Sequence, residues 1–142
     1  MEHRKYISQS TRLEVYNKYH GHCAYCGKHI DMKDMQVDHI LPVYRGGQDI
    51  AANYNPSCRM CNFYKSTHTV DEFKHQLTKI LSRLEKVFIF RVAKRYGLIS
   101  ETGVKVEFYF EQIDKTKVNE LISSVSDADN LTSGKADLEL DS

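Results

Sequence analysis

The sequence contains no long hydrophobic run. Its longest continuous apolar stretch, Val87 to Phe90, is far shorter than the roughly 20 residues that a membrane-spanning helix requires. The first residues, Met1 to Tyr6, are rich in charge and do not resemble a secretory signal. We therefore expect a soluble, cytoplasmic protein without a membrane partner. The length of 142 residues fits one domain of ordinary size with room for an extension.

The sequence also lacks a net excess of either charge sign, since its formal charge is +1. The two signs are nevertheless separated along the chain. Residues 1–97 contain 16 Lys and Arg against 9 Asp and Glu, a charge of +7, whereas residues 98–142 contain 4 against 10, a charge of −6. A basic body followed by an acidic tail is typical of a domain that binds a polyanion. Ordinary solvated charge on both parts is the alternative interpretation.

The four cysteines form two Cys-x-x-Cys pairs, Cys23 with Cys26 and Cys58 with Cys61. In a secreted protein they could form two disulfides, but in a cytoplasmic chain this spacing favours a metal. Each pair can close a tight turn, here called a knuckle, on one ion. Four thiolates are the ligand set of closed, structural zinc sites. A thiol oxidoreductase, which needs free cysteines, is the competing interpretation.

Helix signals occur in three places. A capping box at Thr11-x-x-Glu14 predicts a helix to about Tyr19, and the residues after Cys61 predict a short helix over 62–66. A second capping box at Thr69 predicts a long helix that ends near Gly97. That helix carries an apolar stripe at helical spacing, which indicates a packing face: Phe73, Leu77, Ile80, Leu81, Leu84, Val87 and Phe88.

Strand signals are shorter. Residues 35–41 are the best early strand, residues 51–54 form a strand or turn, and the alternating residues 104–110 predict an edge strand. The Ser- and Asp-rich segment 123–142 has few aromatic residues, which predicts disorder. The sequence therefore predicts a small α+β domain over residues 1–112 and an acidic, flexible tail over residues 113–142.

The residues between the two knuckles indicate chemistry. Asp38 and His39 are adjacent on a predicted strand, so their side chains leave on opposite faces. A carboxylate is a hard ligand for Mg²⁺ or Mn²⁺, and a neutral imidazole can take a proton from water near neutral pH. Asn62, beside Cys61, offers a second oxygen ligand, and Asn53 could fix the orientation of the imidazole.

This segment resembles the HNH endonucleases, which belong to the His-Me finger, or ββα-metal, nucleases. The resemblance is carried by Cys23-x-x-Cys26-Gly27, Val37-Asp38-His39-Ile40-x-Pro42, Gly46-Gly47, Asn53 and Cys58-x-x-Cys61-Asn62-x-x-Lys65. It implies a ββα-metal core joined by a structural Zn²⁺. The N-terminal helix, the long C-terminal packing helix and the edge strand predicted above would surround that core. It also implies a bacterial, archaeal or phage origin.

The resemblance implies a role for each polar residue of the motif. His39 would be the general base that activates a water molecule, and Asp38 with Asn62 would hold one Mg²⁺ or Mn²⁺ against the scissile phosphate. Asn53 would position the loop that carries His39. Asn62 stands where the family often has histidine, a departure that bears on the choice of metal.

Three basic residues are candidates for contact with nucleic acid. Lys65 stands where the family commonly has a lysine, which implies phosphate contact or helix packing. Arg45 and Arg59 are candidate phosphate contacts because a guanidinium group matches the geometry of phosphate oxygens.

We therefore predict a metal-dependent DNA endonuclease that hydrolyses a phosphodiester bond. One metal ion and one histidine suffice for a single nick, and whether two copies pair to cut both strands stays open. The alternative is a non-catalytic zinc-ribbon module that binds nucleic acid.

Overall fold

The structure is a computed structural model, and it describes residues 6–133. The elements in chain order are α1 (Gln9–Asn17), β1 (Gln36–His39), β2 (Tyr54–Ser57), α2 (Arg59–Lys65), α3 (Val70–Thr78), α4 (Ile80–Leu84), α5 (Phe88–Arg95) and α6 (Tyr109–Ser133). Two one-turn 3₁₀ helices, Val43–Arg45 and Ala51–Asn53, lie between the strands. Across residues 6–133, no helix has the length and apolar content to cross a membrane.

A two-stranded antiparallel sheet carries the centre of the fold. Asp38 pairs with Asn55 and His39 with Tyr54, and α2 follows β2 after one residue, Cys58. All four residues of β2 are buried, so this strand is covered on both faces. The order strand, strand, helix confirms the predicted α+β class with a ββα core.

The N-terminal helix begins before the predicted capping residue. Ser8 caps α1, and its Oγ accepts a hydrogen bond of 3.2 Å from the backbone N–H of Thr11. A serine at this position is as good a cap as threonine, so the helix gains its first turn upstream of Thr11. It then ends at Asn17.

The second capping box is present as predicted. Thr69 Oγ1 accepts from the backbone N–H of Glu72 at 3.3 Å, and the Glu72 carboxylate accepts from the N–H of Thr69 at 3.1 Å. The prediction of a single long helix after this box is wrong, because the segment forms three helices, α3, α4 and α5. The apolar stripe divides as well: Phe73 is buried, whereas Phe88 is 71% exposed. Leu81 and Val87 are exposed as well, so the far end of the stripe is not part of the core.

The edge strand predicted over residues 104–110 is also wrong. Residues 104–108 form no strand and pair with neither strand of the sheet, and Tyr109 and Phe110 already belong to α6. The backbone N–H groups of Tyr109 and Phe110 instead donate to the carbonyls of Tyr25 and Ala24, each at 3.0 Å. Phe108 is inserted into the core beside the exposed Glu107, and Val106 and Phe110 pack against the same core. This alternation in burial over residues 106–108 resembles that of a half-buried strand.

Helix α6 extends through much of the segment that the sequence predicts to be disordered. The helix continues to Ser133, so residues 123–133 are helical. Residues 134–142, the rest of the predicted flexible tail, lie outside the described residues. The division of the chain at residue 112 stays a prediction.

Three aromatic rings form the centre of the core. Tyr25 comes from the first knuckle, Phe73 from α3, and Phe108 from the segment before α6. Their ring centroids are 5.4 Å apart for Tyr25 and Phe73, 5.2 Å for Tyr25 and Phe108, and 5.3 Å for Phe73 and Phe108. Each ring is almost completely buried. The cluster therefore packs together three segments that are distant in sequence.

The first prediction concerns this cluster. Phe73→Ala should lower the free energy of unfolding by about 3–5 kcal/mol, because it removes a buried ring and leaves a cavity. Phe88→Ala is the matched control, and it should change stability by no more than about 0.5 kcal/mol because Phe88 is exposed. Urea denaturation measures both values. Equal losses in the two variants would contradict the assignment of the core.

Candidate active site

The four cysteines come together at one end of the ββα core. Their sulfur atoms all lie within 4.8 Å of one another, and Cys26 Sγ is 3.8 Å from Cys58 Sγ. Tetrahedral zinc with Zn–S bonds of about 2.3 Å separates its sulfurs by about 3.8 Å. The predicted gathering of the four cysteines is confirmed, and the donor set fits a closed zinc site.

Backbone hydrogen bonds shape both knuckles. In the first, the N–H of Gly27 donates to the Cys23 carbonyl at 3.0 Å, and Gly27 has a φ of 76°, which favours glycine. In the second, Cys58 is the N-cap of α2, and its sulfur accepts from the N–H of Cys61 at 3.4 Å. The Ala24 N–H donates to the Pro56 carbonyl at 2.9 Å, so the first knuckle is fastened to β2.

The thiols of this cluster differ in acidity. A hydrogen bond from Cys61 lowers the pKa of Cys23 to about 4, whereas burial raises the pKa of Cys26 to about 11. The bond with Cys23 and burial also raise the pKa of Cys61. Four thiolates at such short distances repel one another, so full ionisation requires a cation among them.

His39 makes a polar contact with a residue that the sequence analysis did not select. Its Nε2 lies 2.7 Å from Asp49 Oδ1. A carboxylate only accepts hydrogen bonds, so Nε2 carries the proton in this contact, and the Nδ1 of the neutral ring keeps a lone pair. The Tyr54 ring packs edge-on against the imidazole with centroids 5.1 Å apart. The imidazole is therefore held on two sides.

The loop that carries Asp49 folds back tightly. The N–H of Gly47 donates to the Pro42 carbonyl at 3.0 Å, and a Cβ at Gly47 would lie only 1.8 Å from the Leu41 carbonyl oxygen. Only glycine fits such an approach. The double glycine is the sequence signal for this reversal, but it does not identify Asp49 as the residue that meets His39.

Asn53 holds the other end of the same loop. Its side-chain amide donates to the carbonyls of Leu41 and Gln48 at 3.0 and 2.9 Å, and its Oδ1 accepts from the N–H of Leu41 at 2.9 Å. These bonds fix the backbone that follows His39 and the residue that precedes Asp49. Among the hydrogen bonds of the described residues, none joins Asn53 to the imidazole; the Asn53 side chain bonds to the loop instead.

Asp38 is buried on the opposite face of β1 from His39. Its Oδ2 accepts from the Tyr25 hydroxyl at 2.5 Å, and Lys65 Nζ lies 3.1 Å from Oδ2 and 3.2 Å from Oδ1. Burial raises the pKa of Asp38, while the bond from Tyr25 and the charge of Lys65 act in the opposite direction. Each carboxylate oxygen retains lone-pair capacity beyond these bonds.

The assignment of Lys65 to phosphate contact is wrong. The Lys65 side chain has no exposed surface, and its ammonium also donates to the His39 carbonyl at 2.8 Å. It cannot reach a phosphate from this position. The alternative role, packing of the helix, agrees with the structure, because the ammonium joins α2 to β1.

One cleft brings together three of the predicted catalytic residues and Asp49. Asp38, His39, Asp49 and Asn62 line a cavity of about 1000 Å³. Asn62 is half-buried on α2, one turn before Lys65. A hard carboxylate oxygen and an amide oxygen on this cleft fit a divalent cation that prefers oxygen ligands.

The two candidate arginines lie in different surroundings. Arg45 is half-exposed and donates to the Glu72 carboxylate at 2.6 Å and to the Tyr44 hydroxyl at 2.9 Å. Arg59 is exposed at the start of α2 and lines a second groove beside the cysteine cluster. The structure therefore does not bring the two guanidinium groups together.

Comparisons with known proteins concern the same segment. Residues 23–78 match the family model described as HNH endonuclease. No curated protein matches the chain. Among solved structures, the chain is similar to the Type II-C Cas9 enzyme from Actinomyces naeslundii, with 28% identity and a TM-score of 0.45, over 53% of this chain and 9% of that chain. The resemblance of the cysteine-bracketed segment to the HNH endonucleases is confirmed by the family match.

The second prediction tests the buried ion pair. Lys65→Met removes the ammonium and leaves Asp38 buried without its cation, so the free energy of unfolding should fall by about 3–5 kcal/mol. Lys33→Met is the control, because Lys33 is exposed and its replacement should change stability by about 0.5 kcal/mol or less. Chemical denaturation compares the two. A Lys65→Met protein as stable as the control would contradict the structural role of Lys65.

Proposed function

We propose that this chain is a metal-dependent DNA endonuclease that hydrolyses phosphodiester bonds in the cleft between β1 and α2. The observation that carries the proposal is the contact of 2.7 Å between His39 and Asp49, in a cleft that Asp38 and Asn62 also line. The match of residues 23–78 to the HNH endonuclease family supports the same chemistry.

His39 is the general base of this proposal. Its Nδ1 takes a proton from the water molecule that attacks phosphorus, while Nε2 keeps its hydrogen bond to Asp49. The carboxylate then stabilises the imidazolium that forms, since a negative charge lies beside the new positive charge. Asn53 and Gly47 act indirectly, because they hold the loop that places Asp49 against the ring.

Asp38 and Asn62 would hold the divalent cation, Mg²⁺ or Mn²⁺. When bound, such a cation neutralises charge that develops on the phosphate and on the leaving oxygen. The bonds of Asp38 to Tyr25 and Lys65 set the direction of its carboxylate before any cation arrives. Lys65 therefore serves as a positioning residue, and its positive charge opposes the rise in the pKa of Asp38 that burial causes.

The four cysteines would hold a structural Zn²⁺ that has no open coordination position. Cys58 and Cys61 belong to the start of α2, the helix that carries Asn62. The zinc would thus fix Asn62 relative to the first knuckle, from which Cys58 is separated by 31 intervening residues. Its contribution is to folding rather than to the reaction.

The third prediction tests the base. His39→Ala should reduce the rate of plasmid cleavage by at least about 10²-fold, because a general base contributes at least that much. Asp49→Ala should reduce the rate by less, since the imidazole stays present but loses its partner. Conversion of supercoiled plasmid with Mg²⁺ or Mn²⁺, followed by gel electrophoresis, measures both rates.

Asp34→Ala is the control for Asp49→Ala, because Asp34 is an exposed carboxylate on the turn before β1. It should leave the rate unchanged. Cleavage by His39→Ala at the wild-type rate would refute the assigned base. Nucleic-acid binding by a wild-type protein that never cleaves would favour the alternative, a non-catalytic zinc-ribbon module.

The fourth prediction tests the zinc site. Cys58→Ser should lower the zinc content from one ion per chain and cause unfolding at lower temperature, because zinc binding is coupled to folding. Elemental analysis and circular dichroism measure the two effects. In the wild-type protein, chelator treatment should reproduce the loss of stability, and Zn²⁺ but not Mg²⁺ should restore it. A Cys58→Ser protein with unchanged zinc and stability would contradict the site.

A further inference from the structure

Helix α2 exposes two large apolar side chains beside Asn62. Phe63 is 84% exposed and Met60 is 72% exposed. Residues three positions apart on a helix lie on the same face, so these two side chains form one apolar surface, here called the α2 step. The opposite face of α2 is buried through Cys61 and Lys65. The fold therefore does not need the α2 step for its own packing.

The α2 step forms part of a groove that adjoins the catalytic cleft. The groove has a volume of about 640 Å³, and Gln36 and Asn62 line both the groove and the cleft. A nucleic-acid strand with one phosphate in the cleft would therefore extend its neighbouring nucleotides along the groove. The two spaces are adjacent parts of one surface.

Two cationic side chains, Lys28 and Arg59, line this groove together with Cys58, whose sulfur would be a thiolate in the proposed zinc site. No Asp or Glu is among the lining residues. Neither cation forms an ion pair within the part of the chain that the structure describes. These cations also lie near the four thiols, which offers a second reason for their presence. Proximity to the thiols does not explain the exposed Phe63 and Met60. This apolar pair is therefore the part of the groove that indicates a ligand.

A groove that combines an aromatic face with cations matches the chemistry of a nucleic-acid strand. Bases stack on aromatic side chains, and phosphates contact Lys and Arg. We propose that Phe63 and Met60 stack against an unstacked base next to the scissile phosphate, while Lys28 and Arg59 contact the flanking phosphates. The inference rests on the proposed function, and it names the substrate class: DNA with unpaired or splayed bases beside the cut.

The experiment measures binding separately from cleavage. The full chain with His39→Ala is titrated with a short single-stranded DNA that contains 2-aminopurine, and with the same sequence as a fully paired duplex. We expect tighter binding of the single strand and a change of 2-aminopurine fluorescence on stacking. In that background, Phe63→Ala should weaken single-strand binding by about fivefold to 100-fold and abolish the fluorescence change, whereas Phe63→Trp should preserve both.

Phe88→Ala is the matched control, because Phe88 is a similarly exposed phenylalanine on α5 and lines neither groove nor cleft. It should bind as tightly as the parent. Unchanged binding by Phe63→Ala, or an equal loss of duplex and single-strand binding, would overturn the inference. If the groove binds a protein instead of DNA, Phe63→Ala would likewise leave DNA binding unchanged.

The outcomes separate the two proposals. Binding that depends on Phe63, in a protein whose wild-type form cleaves nothing, supports the stacking surface and rejects the endonuclease. Cleavage by the wild type, together with single-strand binding that Phe63→Ala leaves unchanged, supports the endonuclease and rejects the stacking surface. Thermal unfolding of Phe63→Ala should match the parent, since the ring is exposed.

Discussion

The ammonium group of Lys65 is the interaction on which the geometry of this site depends. It leaves α2 and meets the Asp38 carboxylate and the His39 carbonyl, both on β1. A charge buried this completely is tolerated only where acceptors surround it. Helix and strand are therefore held in one relative position. The cysteine cluster fixes the start of the same helix, so α2 is fastened at both ends and Asn62 lies between them.

Two carboxylates of the cleft are placed in contrasting surroundings. Asp38 is buried, and burial raises its pKa against the effects of Tyr25 and Lys65. Asp49 lies at the partly open side and meets His39. Distinct surroundings can give two carboxylates distinct roles. The surroundings of Asp38 hold its carboxylate in one direction, as the proposed metal ligand requires. The position of Asp49 suits the stabilisation of an imidazole that gains and loses a proton.

Local spacing predicted much of this molecule, and tertiary packing decided the rest. The cysteine pairs, the ββα order and the Thr69 capping box depend on residues close in sequence, and the structure contains them. The contact of Asp49 with His39 depends on a loop reversal that no periodicity records. The burial of Lys65 depends on what lies opposite the helix, so its motif position left two roles open. Residues 104–110 alternate like a strand, yet Phe108 finds an aromatic cluster instead of a sheet edge.

The position of Phe108 in the sequence determines when the core can be completed during synthesis. Its ring closes the cluster with Tyr25, and the backbone next to it bonds to the first knuckle. A chain emerging from the ribosome has Cys61 and Lys65 well before it has Phe108. The four cysteines and the cleft residues are thus synthesised while one side of Tyr25 is still uncovered. The hydrophobic interior is complete only after more than forty residues beyond Lys65 have been added.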